Sequence, residues 1–310
     1  MIKTTRLLAL TLALGLSFNL LAQDTLDRAL LWRIDATDPA TPSSYLFGTI
    51  HLIPAADFVL SDSLMSVLNR SERVTFEIDP AEMTDPAMAF KLIPKAMMRG
   101  DTTLRDVLTA EEFDRAEAHF SELGLPMMFL QRVKPMFLSM LVGMDDMDLS
   151  GMLGGDPSTA DEQSDIKSYE LELDGIARQA DKEIGGLETT DFQLSLFDSI
   201  PYRAQGDMLM AAIDAPEDGE SSQLDEITSV YTTGDIDGMY LMSVGEEGGV
   251  GGFEKTLIVN RNLNWIAPME TQIAAGATLF AVGAGHLGGP QGIIRLLREA
   301  GYILTPLSIR

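Results

Sequence analysis

The sequence predicts an α/β (α+β) fold: a central mixed sheet built from N- and C-terminal strand-GxxH-helix-strand units, with a mostly helical middle segment capping the site. Three observations lead there. An apolar run ending in Gly-x-x-His occurs near each end, as Tyr45-Leu46-Phe47-Gly48-Thr49-Ile50-His51 and as Thr278-Leu279-Phe280-Ala281-Val282-Gly283-Ala284-Gly285-His286. Each run is followed by a loop, a short amphipathic helix and a second apolar run. The stretch between the units carries helical periodicity and cap signals rather than strand alternation. With only 3 histidines in 310 residues, two in matched settings far apart in sequence point to one paired site.

The elements follow in order. Lys3 and Arg6 precede an apolar stretch from Leu7 to Leu21 that stops at Ala22 and Gln23, the pattern of a secretory signal peptide. Residues 1–22 are read as that segment, and 23–310 as a single domain with a helical insertion over about 81–275. The apolar stretch is shorter than the roughly 20 residues of a spanning helix, so a membrane enters only through this segment if it stays uncleaved. A periplasmic or secreted location is expected. The chain has no cysteine, which excludes a lipoprotein anchor, disulfides, thiolate ligands and a cysteine nucleophile.

Leu30 to Ile34 and Ser44 to Ile50 are β-rich and flank turn residues at Asp38 to Pro42, which predicts a hairpin ending at His51. Leu64, Met65, Val67 and Leu68 predict a helix over Ser61 to Asn69, and Val74 to Ile78 a third strand carrying Glu77. The C-terminal unit repeats the order: strand Thr278 to Val282, the His286 loop, a helix opened by Pro290 and stopped by Gly301, then strand Tyr302 to Leu307. Two such units closing one sheet about a pseudo-twofold axis bring both strand ends, and both histidines, together.

In the middle, Thr109 with Glu112 and Thr190 with Gln193 have capping-box spacing. Pro126 to Met144, rich in methionine and leucine, reads as core or a helix contact, with a substrate-facing groove as the alternative. Gly143 to Ser164 and Ser243 to Gly252 read as disordered or lid-like loops. His119 reads as a solvated helix residue without a role.

The formal charge of -25, about -27 without Lys3 and Arg6, argues against a nucleic-acid partner. Hydrophobic residues at 45% suffice for a sizeable core. No Gly-x-Ser-x-Gly elbow, Walker loop or His-Glu-x-x-His occurs.

A glycine three positions before a histidine lets the backbone turn closely and aims the imidazole over the sheet edge, where open α/β sheets build their sites. This singles out His51 and His286, with Gly48 and Gly283 supporting them. Glu77, on a strand, is costly to bury unpaired, so it faces solvent, a cation, a metal or the histidines. Arg261, in the amphipathic Val259 to Trp265, is placed to clamp a carboxylate, to stabilise an oxyanion, or to form a salt bridge with Glu77 or Glu188. Trp265 is read as packing.

The segments Tyr45 to Pro54 (YLFGTIHLIP), Glu77 to Asp79, Gly186 to Thr189 (GLET) with Gln193, Asn260 to Trp265 (NRNLNW) and Val282 to Gly289 (VGAGHLGG) resemble the TraB/PrgY/GumN family, which includes the Tiki metalloproteases. The resemblance spans nearly all of the mature chain in the right order. It places His51, His286, Glu77 and Arg261 on the family's motif positions, with Glu188 and Asn262 beside them. It implies metal-dependent peptide hydrolysis. Where the family commonly carries Gly-x-Asp, this chain has Ser168-Tyr169-Glu170, so Glu170 stands as the longer carboxylate at that position.

On that reading His51, His286 and Glu77 hold a divalent ion (Mn, Co or Zn) with an open position for water. The ion lowers the water's pKa, Arg261 stabilises the oxyanion, and Glu170 or Glu188 serves as base on a peptide or protein substrate. Two alternatives stay open. In a metal-independent, esterase-like hydrolase, one histidine is the general base and Glu77 orients it. A non-catalytic periplasmic binding or signalling protein would use the same pocket to hold a metal, haem or peptide.

Overall fold

The computed structural model describes residues 26–84, 93–142, 166–214, 217–245 and 252–308. The expected signal segment, all of the expected Gly143 to Ser164 loop and most of the expected Ser243 to Gly252 loop lie outside these residues.

Eight strands occur among the described residues: β1 Leu31–Asp35, β2 Ser44–Thr49, β3 Ile53–Pro54, β4 Arg73–Phe76, β5 Ile166–Lys167, β6 Glu183–Gly186, β7 Thr278–Gly283 and β8 Ile303–Leu307. Six of them form one mixed sheet in the order β6-β4-β7-β2-β1-β8, and β3 with β5 makes a separate two-stranded ribbon. The predicted hairpin is β1 paired antiparallel with β2, Leu31 opposite Phe47. At the centre, β2 and β7 run parallel with Thr49 opposite Gly283, so the two Gly-x-x-His runs lie side by side. All six residues of β2 are buried, which is why this strand reads as a near-continuous apolar run rather than an alternating one.

Both chain ends build this sheet as expected. The connection from β2 crosses β7 to reach β4, and that from β7 crosses β2 and β1 to reach β8. Running in opposite directions, right-handed connections place their helices on opposite faces, as a twofold along the strands requires. The antiparallel β1, wedged between β2 and β8, breaks that symmetry. One strand, β6, comes from the middle segment and pairs parallel with β4 at the sheet's edge.

The helix after β2 is Asp62–Arg70, capped by Ser61, whose side chain accepts from the Leu64 N–H. It buries Leu64, Val67 and Leu68 on the apolar stripe that predicted it. Several boundaries shift from the expected ones, three of them at residues singled out above. Strand β4 stops at Phe76, so Glu77 is the first residue beyond it. The last helix, Ile293–Glu299, is entered at Gly292 rather than Pro290, and Gly301 ends it with φ +98°. The helix Thr190–Leu196 is capped by Thr189, which frees Gln193 from a capping role.

The remaining middle helices make a second apolar cluster around Leu104, Phe113, Phe120, Met127, Leu138 and Leu209. Met127, Leu138 and Val142 are buried there, as expected of core, whereas Met128 and Phe129 of the same stretch are exposed. Thr109 and Glu112 close a capping box at the start of Ala110–Glu122. His119, on that helix, is half-buried, and its Nε2 has no hydrogen-bond partner; it is not the solvated residue expected. Among the described residues no helix is long and apolar enough to cross a membrane.

Candidate active site

Four parallel strands, β6, β4, β7 and β2, end at one edge of the sheet, and each delivers a side chain just past its end. Those side chains are Glu188, Glu77, His286 and His51. The C-terminal edge of parallel strands is where open α/β sheets bind ligands. The long helix Asn260–Ala275 adds Arg261, Asn262 and Trp265, all buried on one stripe because positions three and four apart share a helix face. The helix Tyr169–Gln179 adds Glu170 in its first turn. The start of that helix is pinned by pairing of Ile53 with Lys167 and by Tyr169, whose hydroxyl meets the backbone of Val59 and whose ring packs edge-on to Phe47.

Arg261 is the hub. Its Nε–H and Nη2 donate to Glu188, the latter at 2.6 Å, and Nη2 also donates to Glu77 Oε2. Nη1 donates to the Leu257 carbonyl at 3.1 Å and stands 3.1 Å from His286 Nε2. Every guanidinium N–H is therefore engaged, and none remains for a substrate oxyanion. Both salt bridges foreseen for Arg261, to Glu77 and to Glu188, form at once. Arginine is suited to this because its planar fork can serve two carboxylates at fixed angles.

The carboxylates are satisfied in turn. Glu77 Oε1 accepts the Gly283 N–H at 2.8 Å, and Gln193 Nε2 reaches both Glu77 and Glu188, at 3.4 Å and 3.2 Å. Burial alone would raise the Glu77 pKa, but the charge of Arg261, with His286, His51 and the Gly283 N–H, holds it well below the usual carboxylate range. Trp265 donates its Nε1–H to Glu188 Oε2 at 3.0 Å and packs its ring on His286, centroids 4.6 Å apart. It is thus part of the site and not only packing.

His286 is buried and neutral. Asn262 Nδ2 donates to the carbonyls of Gln291 (2.8 Å) and His286 (3.3 Å), which fixes its amide orientation and leaves Oδ1 facing His286 Nδ1 at 2.6 Å. Nδ1 therefore carries the proton, and Nε2 presents a lone pair that accepts from Arg261. Burial pushes the His286 pKa down to about 3, with the charges of Arg261 and His51 adding to the drop.

His51 is the opposite case. Its side chain is 74% exposed, and Nδ1 lies 2.9 Å from Glu170 Oε1. That carboxylate is itself held by Thr49 Oγ1 at 2.6 Å and by Ser168 Oγ at 3.0 Å. The Glu170 hydrogen bond, with its charge and that of Glu77, raises the His51 pKa to about 9. Burial opposes ionisation of Glu170, but His51 and Thr49 prevail and lower its pKa. Glu170, not Glu77, orients the exposed histidine. Among the described residues no hydrogen bond engages His51 Nε2 on this exposed ring, while Arg261, Glu77, Glu188 and His286 are all committed.

The two glycines act through closeness rather than unusual torsion. A Cβ on Gly48 would stand 3.2 Å from the Ala284 backbone, and one on Gly283 3.1 Å from Glu77 Oε1. Gly48 thus lets the second histidine turn pack onto β2.

As placed, His51, Glu77 and His286 do not make a seat for a divalent ion. Glu77 Oε2 and His286 Nε2 both face the Arg261 guanidinium, whose positive charge stands where a metal would have to bind them. His51 is tied to Glu170 instead. Among the described residues no three His, Asp or Glu side chains gather as a metal-binding group.

Sequence reasoning singled out His51, His286, Glu77, Arg261, Glu170, Glu188 and Asn262, and the structure brings them all to this edge. It missed Thr49, Ser168 and the engagement of Trp265. Trp265 lies four residues from Arg261 on one helix, with the guanidinium 4.8 Å from its ring, a spacing visible in the sequence.

The model of the TraB/PrgY/gumN family matches residues 30–306 of the chain. No curated protein and no solved structure matches it.

Proposed function

This chain belongs to the TraB/PrgY/gumN family, and we propose that it is a hydrolase whose working group is the His51–Glu170 dyad, acting on a carbonyl substrate of the peptide class. One observation carries the reading. Among the described residues, His51 alone of the clustered side chains has a ring nitrogen without a hydrogen bond on a solvent-exposed ring, with its other nitrogen fixed by a carboxylate at 2.9 Å. A carboxylate on Nδ1 sets ring orientation and stabilises the imidazolium that forms when Nε2 takes a proton.

In this reading Nε2 removes a proton from water as the water oxygen attacks the carbonyl. The resulting imidazolium returns that proton to the departing amine or alcohol, so one residue serves as base and then acid. The buried Glu77, Glu188, Arg261 and His286 cluster forms a rigid charged floor. Arg261 is a positioning residue there. No step passes through a metal. The peptide class is supported by the family resemblance, and export to the periplasm or outside by the leader pattern of Lys3 to Ala22.

The test is turnover of a mixed fluorogenic peptide library and of nitrophenyl esters by wild type, His51→Ala and Glu170→Gln. The His51→Ala variant is expected to lose about 10²- to 10⁴-fold, and Glu170→Gln less. Wild-type turnover that survives His51→Ala unchanged overturns the reading. Binding of peptides without turnover would favour the binding-protein alternative.

A further inference from the structure

We propose that Arg261 is this site's resident cation: its guanidinium holds the position among Glu77, Glu188 and His286 that a divalent ion would otherwise take, so the wild-type site is metal-free and removal of the guanidinium creates a metal site. The inference stands on the placement of these groups and does not require the site to be a hydrolase.

The donor set is the first ground. Glu188 Oε1 lies 2.6 Å from Arg261 Nη2, Glu77 Oε2 bonds the same nitrogen, and His286 Nε2 is 3.1 Å from Nη1. One imidazole nitrogen and two carboxylate oxygens therefore surround one cationic group, and that set suits Zn, Mn or Co. The lone pair on His286 Nε2 is aimed at that spot by Asn262, bonded to Nδ1 at 2.6 Å, the arrangement that outer partners give to metal-bound histidines.

Charge is the second ground. Two ionised carboxylates buried together need a compensating cation, and Arg261 is the one cation that bonds either of them among the described residues. With its own N–H groups all committed, it has no reason to leave, and a divalent ion entering beside it would meet like charge. Taking the guanidinium away leaves the two carboxylates and the imidazole facing a gap that lacks its cation.

The experiment loads wild type, Arg261→Lys, Arg261→Ala and Arg261→Ala with His286→Ala separately with Zn, Mn and Co, followed by desalting, elemental analysis and titration calorimetry. Wild type and Arg261→Lys are expected to retain no stoichiometric ion. Arg261→Ala is expected to take up about one equivalent, and the double variant to lose it. Stoichiometric metal in the wild type, released by His51→Ala or His286→Ala, overturns the inference while leaving the hydrolase reading standing. A folded Arg261→Ala protein that takes up nothing also overturns it. If Arg261→Ala does not fold, the wild-type melting temperature with and without each ion decides. A bound ion must raise it, so no shift supports the inference and a rise overturns it.

Discussion

Gly283 presents its N–H to Glu77 Oε1 at 2.8 Å, and a side chain on Gly283 would bring its Cβ to 3.1 Å from that same oxygen. The glycine of the second Gly-x-x-His run is therefore a seat for the carboxylate that the first unit delivers. Gly283→Ala is expected to push Glu77 away from Arg261 and cost about 1–3 kcal/mol. Gly185→Ala, where a Cβ meets nothing within 4 Å, should be nearly neutral. Paired urea melts check this, and equal losses for both would sink it.

The parts of the site legible in the sequence are those fixed by strand ends. A Gly-x-x-His after an apolar run fixes where an imidazole emerges, so the pairing of His51 with His286 follows from the two runs themselves. Glu77 was legible for the same reason, although its strand stops at Phe76 and the chain bends at Glu77. What the sequence did not reveal is who partners whom. Gln193 follows a cap signal, yet its amide spans 116 residues to reach Glu77, and Thr49 spans 121 to hold Glu170. Such distant bonds follow from the sheet order. A strand from the middle segment, β6, reads as part of a helical stretch because it is only Glu-Ile-Gly-Gly, too short for alternation to show.

The His51–Glu170 pair sets the pH dependence of any reaction that uses Nε2 as a base. His51 must be deprotonated to accept the water proton, so kcat/KM should rise with pH. The midpoint should lie between the ordinary 6.5 and the raised value of about 9, since water screens a ring this exposed. Glu170→Gln removes the first cause of the elevation, and the ascending limb should move toward 6.5. The His51 ring resonances, followed by NMR against pH, report the same shift without a substrate. An unchanged midpoint in Glu170→Gln would show that Glu170 does not tune this ring.

Asn262 decides which nitrogen of His286 carries the proton, and its exchange for aspartate inverts the local electrostatics. Asn262→Asp places a carboxylate on Nδ1 and removes the donor to the Gln291 and His286 carbonyls. The His286 pKa should climb from about 3 toward the neutral range. The buried His286 carbonyl left unpaired should cost about 1–3 kcal/mol, and the part-buried Gln291 carbonyl less. NMR titration of His286 reads the first effect and thermal melts the second. A His286 that stays neutral at pH 5 in Asn262→Asp would mean that burial alone sets its state.

Stability itself should peak near pH 6.5, because the two histidines pull in opposite directions. His286 has a folded pKa of about 3, so below 6.5 the unfolded chain binds a proton that the folded one refuses. Stability then falls on acidification, by at most about 1.4 kcal/mol per pH unit for one proton. Glu77 adds to the same limb at lower pH, since its depressed pKa favours folding above the ordinary carboxylate range and that gain is lost as the pH drops. His51 has the opposite sign. Its folded pKa is raised to about 9, so its contribution is full below 6.5 and disappears as pH rises through 9. That limb should be the shallower one, because the ring is exposed and the pair is screened. Tm followed by circular dichroism from pH 4 to 10 should show both limbs, and His51→Ala should flatten only the alkaline one. An alkaline limb that persists in His51→Ala would place the responsible proton elsewhere.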